Sequence, residues 1–223
     1  MSPIDEPRKR VGNPSQKMQK KSRKWMYIAF ILIGIAVVVT AFVILQYYSP
    51  ATPSNNETPA ENSIAVIATT MGTIKVELYN DKMPITTTNF IKLVNNGFYS
   101  GLVFHRVIDN FMIQGGGFYP NGTQKQSPYG PIELETSSDV LHVDGAISMA
   151  RLSSPVDSAT SQFFICDGAQ TGLDNDYAAF GKVIDGMDVV RAIAAVTTTT
   201  KYTGYDDWPV NDVIINSITI ETT

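Results

Sequence analysis

The sequence predicts a mainly β domain, a barrel or sandwich with two helical caps, preceded by a single transmembrane helix. Three observations predict it. One apolar run, Ile28 to Leu45, contains no charged residue. From Ser63 onward, short β-rich runs alternate with turn residues, with no internal repeat. In that same stretch only two segments carry helical spacing.

The elements follow in chain order. Residues 1–24 hold eight of the 17 basic residues, Arg8, Lys9, Arg10, Lys17, Lys20, Lys21, Arg23 and Lys24, against Asp5 and Glu6. The whole chain has a net charge of −4, so the remainder, with nine basic and nineteen acidic groups, stands at −10. Residues 25–48 read as a signal anchor, because about 18 or more apolar residues suffice to span a bilayer. Trp25, Tyr27, Tyr47 and Tyr48 suit its two interfaces. A buried core helix would carry more polar interruptions than Thr40 alone. A cleaved signal peptide, the competing reading, would want a shorter apolar stretch and an Ala-x-Ala site, which "LQYYSPATP" lacks. The basic tail then stays in the cytoplasm and the acidic remainder lies outside. Because the tail abuts the span, membrane topology explains it more simply than nucleic-acid binding. Residues 49–62, "SPATPSNNETPAEN", read as a flexible linker. Asn56-Glu57-Thr58 and Asn121-Gly122-Thr123 fit the glycosylation sequon, a triplet common by chance.

Residues 63–223, about 160 in number, suit one compact domain. "SIAVIATTMGTIKVELY" reads as a hairpin around Met71-Gly72. "MPITTTNFIKLVNNGFY" reads as a helix, with Pro84 in its first turn, Phe90, Leu93 and Val94 on one face, and Gly97 at its end. Short strands follow at 103–108, 111–115, 145–149, 161–165 and 179–184. Residues 186–196 read as a second helix, and "DVIINSITIET" closes the chain as a strand. The stretch 117–143 reads as irregular, rich in Gly, Pro and Asn.

Several chemistries are excluded. Two histidines, His105 and His142, and one cysteine, Cys166, leave a zinc site dependent on several carboxylates, and no HExxH or CxxC is present. Nor is there a GxSxG elbow, a P-loop or a GxGxxG. Cys166 cannot form an internal disulfide and reads as a small buried apolar residue. His105 reads as a core histidine ahead of a general base. What remains are groups that bind amides and apolar rings. Arg106 offers a planar fork of donors. Gln114 and Gln162 offer carboxamides. Phe111, Met112, Phe164 and Leu173 could form an apolar pocket.

Arg106 interrupts the apolar run "FHRVIDNFMIQGG", where a buried charge is costly unless paired or used. A structural salt bridge to Glu133 or Asp109 is one answer, and contact with a substrate is the other. Periodicity does not assemble the site. A tight Asp109-Asn110 turn would put Arg106 and Phe111 on one face of a hairpin and Gln114 on the other.

"FHRVIDNFMIQGG", "GAISMAR", "SATSQFFI" and "LDNDYAAFGKVIDGMDVV" resemble the cyclophilins in order and spacing, from about Ile64 to the C-terminus. "SPYGPIELE" and the tyrosine of "LDNDYAAFG" resemble the compact bacterial or archaeal type. The resemblance implies a closed eight-stranded antiparallel β-barrel capped by two helices. It implies peptidyl-prolyl cis-trans isomerase activity with neither cofactor nor metal. By the same resemblance Arg106 is catalytic, and Phe111, Met112, Phe164 and Leu173 wall the proline pocket. Gln114 binds substrate backbone, Ala150 lies beside the substrate chain, Gln162 lines the groove and His105 supports the site. Arg151 and Tyr177 join the substrate-binding set as departures: Tyr177 stands where many members have His, and Arg151 where eukaryotic members have Asn. Gly172 stands where cyclosporin-sensitive members have Trp, which implies weak cyclosporin binding. The implied partners are proline-containing polypeptides, unfolded or exported. The expected protein is a single-pass cell-membrane isomerase with its catalytic domain outside the cytoplasm, assisting protein folding. The alternative is a tethered module that holds proline peptides with little turnover.

Overall fold

Strand β1 (Ser63–Thr69) and strand β2 (Gly72–Leu78) pair antiparallel from Thr69 opposite Gly72 outward. The hairpin therefore turns on Thr70-Met71, one residue earlier than the sequence suggests. Gly72 is needed there for its φ of +140° and because a Cβ would meet Val189 Cγ2 at 2.7 Å. The structure is a computed structural model that describes residues 62–222. The basic tail, the apolar run at 25–48, Asn56 and nearly all of the linker lie outside the described residues. Among the described residues no helix is long and apolar enough to cross a membrane.

Helix α1 (Pro84–Asn95) begins at the proline and stops before Gly97, whose φ is +61°. Met83 at its N-cap offers no side-chain bond. Glu135 does the capping from the irregular stretch, accepting from Ile85 N at 3.1 Å, Thr86 N at 2.8 Å and Thr86 Oγ1 at 2.7 Å. The buried face carries Phe90, Leu93 and Val94. Phe90 meets the rings of Phe180, Tyr99 and Phe163 at 5.2, 5.3 and 5.7 Å, which makes α1 one wall of the core.

The remaining elements are β3 (Phe104–Ile108), β4 (Met112–Gly115), β5 (Ala146–Met149), β6 (Phe163–Cys166), β7 (Ala179–Asp185), α2 (Met187–Ala194), β8 (Thr198–Thr199), β9 (Trp208–Pro209) and β10 (Ile215–Thr222). Eight strands form one sheet in the order β10-β1-β2-β7-β5-β6-β4-β3, each neighbour antiparallel. Helix α2 buries Val190, Ile193 and Ala194. Residues 117–143 carry isolated bridges and no strand, in keeping with their composition.

The closed barrel is corrected. Strands β3 and β10 end the run without a ladder between them, so the sheet is a half-barrel. The two ends meet where the strands begin: Val103 bridges Ile214, Gly101 N donates to Ile215 O at 2.8 Å, Ile215 N to Leu102 O at 2.7 Å and Phe104 N to Val213 O at 3.0 Å. Farther along, Val107 N donates to the Asp207 carbonyl at 2.9 Å. A segment around β9, to which the sequence reading gave no element, thus occupies the edge that β10 would need.

Candidate functional site

The site grows from the register of four strands. Arg106 on β3 stands opposite Gln114 on β4, Gln114 opposite Phe164 on β6, and Phe164 opposite Ser148 on β5. Residues opposite one another in antiparallel strands share a face. Arg106 and Gln114 are therefore neighbours, contrary to the tight-turn expectation. The loop between β3 and β4 has three residues, Asp109 to Phe111, because Ile108 pairs with Met112. Asn110 takes φ +57°, a left-handed conformation that Asn tolerates. The extra residue shifts parity by one and brings Gln114 round to Arg106.

A bulge between Phe104 and Arg106 solves the other parity problem. By simple alternation the two would share a face. The extra residue, His105, lets Phe104 and Val107 both face the core while Arg106 faces out.

Beside this row lies a cavity of about 140 Å³, open to solvent. Arg106, Phe111, Met112, Gln114, Ala150, Arg151, Phe164, Leu173 and Tyr177 line it. Gln162 and His105 do not line it. Gln162 joins it through Gln114: its Oε1 accepts from Gln114 Nε2 at 3.0 Å and orients that carboxamide. His105 is buried against Phe118 at 4.6 Å, with Tyr205 and Trp208 beyond. Burial pushes its pKa down to about 4, which the Val103 carbonyl and the Gln162 side chain only partly offset.

The apolar wall is fixed from behind. His142 stacks on Phe164 at 5.9 Å and 13°, while Tyr177 meets Phe164 edge-on at 5.9 Å. His142 bonds Ser148 Oγ through Nε2 at 3.0 Å and Asp174 Oδ1 through Nδ1 at 2.9 Å. The His142 backbone N–H donates to the same Asp174 oxygen at 2.8 Å, and this bond foremost lowers the Asp174 pKa. Leu173 and Tyr177 flank Asp174, so the clamp ties the pocket's outer wall to its floor. Arg151 lies over Tyr177 at 4.8 Å and donates to the Asp176 carbonyl through Nε at 2.6 Å.

Arg106 is half-exposed, and its Cζ lies 5.7 Å from the Phe111 ring centre. Its Nε lies 3.6 Å from Asp207 Oδ2. The acid paired with it is therefore Asp207, in place of the Glu133 or Asp109 weighed from the sequence. Asp207 and the His142–Asp174 clamp were missed by the sequence reading. The anchoring Trp208 in "GYDDWP" was the available signal for Asp207, whereas the clamp joins positions 32 residues apart with no local pattern.

The lining contains no Ser, Thr, Cys or Lys. Ser148 is fully buried and committed to His142. Burial pushes the Cys166 thiol up to about 12, far from thiolate. Among the described residues no group of three or more His, Cys, Asp or Glu could hold a metal. The arrangement can grip an apolar ring and donate hydrogen bonds to an amide beside it.

The family described as cyclophilin type peptidyl-prolyl cis-trans isomerase/CLD matches residues 64–220. A peptidyl-prolyl cis-trans isomerase of Acinetobacter baylyi is 47% identical over 165 residues, covering 72% of this chain and 86% of that protein. Peptidyl-prolyl cis-trans isomerase B of Escherichia coli is 40% identical over 165 residues, covering 68% and 96%. A crystal structure of a Cryptosporidium parvum cyclophilin type peptidyl-prolyl cis-trans isomerase in the presence of the dipeptide Ala-Pro superposes with a TM-score of 0.64 at 30% identity, covering 72% of this chain and 99% of that one.

Proposed function

This chain belongs to the cyclophilin-type peptidyl-prolyl cis-trans isomerases, and from that premise we propose that Arg106 drives rotation about X-Pro bonds in proline-containing chains outside the cytoplasm. Rotation faces a barrier of about 18–20 kcal/mol because twisting removes amide resonance. Uncatalysed, it takes roughly tens to hundreds of seconds. In the twisted state the prolyl nitrogen becomes pyramidal and regains a lone pair. A guanidinium donating there, or to the adjacent carbonyl, binds the twisted state more strongly than the planar one. That difference lowers the barrier without base, nucleophile or cofactor.

Each lining residue then has a part. Phe111, Met112, Phe164 and Leu173 hold the proline ring. Gln114, oriented by Gln162, bonds the substrate backbone, and Ala150 borders the chain. Arg151 and Tyr177 form the far rim. His105 supports the bulge that aims Arg106. The observation that carries this reading is the single row that sets a guanidinium and a carboxamide against an apolar cavity. The Ala-Pro dipeptide of the Cryptosporidium structure supports proline peptides as the ligand class.

The test is NMR exchange on a short Ala-Pro peptide with the full chain in detergent micelles, beside Arg106→Ala. We expect kcat/KM to fall roughly 100-fold to 1000-fold in the variant, the usual loss when one transition-state donor is removed. Peptide binding without acceleration in the parent would leave the tethered binding module in its place.

For location, the basic tail, the uncharged run from Ile28 to Leu45 and the polar linker support a single-pass anchor with the catalytic domain outside. Protease added to intact cells should remove the domain and spare the tail; a protected domain would refute this topology.

A further inference from the structure

Resting on that reading of Arg106, we infer that Asp207 is the positioning residue that holds its guanidinium in the orientation isomerisation needs. Asp207 Oδ2 lies 3.6 Å from Arg106 Nε, and among the described residues it is the acid paired with this arginine. The other contact is the Phe111 ring, 5.7 Å from Cζ. The carboxylate approaches the guanidinium at Nε, and the Nη donors are the ones a substrate would take.

Asp207 is itself held firmly. Its carbonyl accepts from Val107 N at 2.9 Å, which pins it to β3 one residue from Arg106. Trp208 follows, fully buried, with its Nε1 donating to Asp212 Oδ1 at 2.8 Å. Lys201 Nζ reaches the same oxygen at 2.7 Å, and Thr199 pairs with Trp208 across β8 and β9. The backbone of Asp207 is thus fixed by bonds its carboxylate does not make. The carboxylate is left to the arginine.

Stability does not account for the pair. Its side chains are 43% and 39% exposed, and ion pairs that wet contribute little. An unrestrained arginine, however, samples many rotamers, and few of them aim the Nη donors at the cavity. Restricting those rotamers beforehand raises the turnover of a bound substrate and leaves its binding alone.

The experiment measures kcat and KM by NMR exchange on the Ala-Pro peptide, with the full chain in micelles. Asp207→Asn keeps size and backbone bond while removing the charge. We expect kcat to fall roughly five- to tenfold, with KM and thermal midpoint unchanged. Asp207→Glu should recover most of the loss. Asp206→Asn removes the same charge one residue away, where the carboxylate bonds Thr200 Oγ1 at 3.0 Å, and should leave kcat unchanged. Parental kcat in Asp207→Asn overturns the inference, as does an equal loss in Asp206→Asn or a kcat loss that tracks a falling midpoint. A parent no faster than Arg106→Ala overturns the reading of Arg106, and this inference with it.

Discussion

Across β3, β4, β6 and β5, Val107, Ile113, Ile165 and Ile147 stand opposite one another, and one position along the same strands stand Arg106, Gln114, Phe164 and Ser148. The first row is 0–2% exposed and belongs to the main core. In the second, Arg106, Gln114 and Phe164 line the cavity, while Ser148 lies buried beneath His142. Both rows belong to the same ladders and differ by one residue of register. A one-residue slip would bury the arginine and expose the isoleucines, so the core row enforces the site row. The core needs complete contacts. The site needs the same rigidity with one side left open, and it borrows that rigidity from strands the core has already locked.

Phe163 and Phe164, consecutive on β6, give the sharpest test of this contrast. Phe163 is fully buried, meeting Tyr99, Phe90 and Phe104 at 5.5, 5.7 and 6.1 Å. Phe163→Ala should cost about 3–5 kcal/mol of stability. Phe164 faces the cavity, so Phe164→Ala should cost only about 2 kcal/mol and instead raise KM for the Ala-Pro peptide. Urea unfolding beside peptide kinetics checks both. Equal destabilisation with unchanged KM would erase the distinction between the rows.

His105 belongs to neither row, being the extra residue of the bulge. Its folded pKa of about 4, against an ordinary 6.5, means that between those values the unfolded chain holds a proton which the native chain lacks. Stability should therefore fall as pH drops from about 6.5 to about 4, by at most ~1.4 kcal/mol per pH unit from this group. Denaturation across that range should show a shallower slope in His105→Gln. An unchanged slope would mean that His105 is not held neutral by burial. Because native His105 with a pKa of about 4 is already neutral at pH 6, it should add no pH dependence to kcat from about pH 6 to 8.

How legible this was in the sequence follows from the same contrast. The core row and both helices announce themselves through apolar periodicity, since burial acts on every second or every third-to-fourth residue. The parity of the site does not, because two local departures decide it: the bulge at His105 and the three-residue loop at Asp109 to Phe111. Each changes a face by inserting one residue, and neither follows from alternation alone. The motif resemblance supplied the cavity residues where parity failed, and Gln162, which it set along the groove, bonds the cavity residue Gln114. It also implied a closed barrel, because family likeness carries strand number more readily than the bonds at a seam. Asp207 had only the neighbouring Trp208 as a signal: its partner is 101 positions away, and the buried Trp208 and the bond from Val107 N bring it there.

The rim at Gly172 offers the smallest and most selective test of what an open side means. Gly172 lies in the short turn Thr171–Leu173, beside the pocket residue Leu173, and a Cβ there would meet nothing within 4 Å. Gly116, against the core, has no such room: a Cβ there would come within 2.9 Å of Ser161 O and of the Tyr99 ring. An aromatic side chain is therefore admissible at 172 without displacing the fold. Gly172→Trp should add apolar wall next to Leu173, raising cyclosporin affinity roughly tenfold through a new aromatic anchor. A short Ala-Pro peptide, too small to reach that wall, should be turned over within about two-fold of the parent rate. Calorimetric titration with cyclosporin beside peptide kinetics separates the effects. Should both change together, the rim and the catalytic row would be coupled, and the site would be less modular than its two rows suggest.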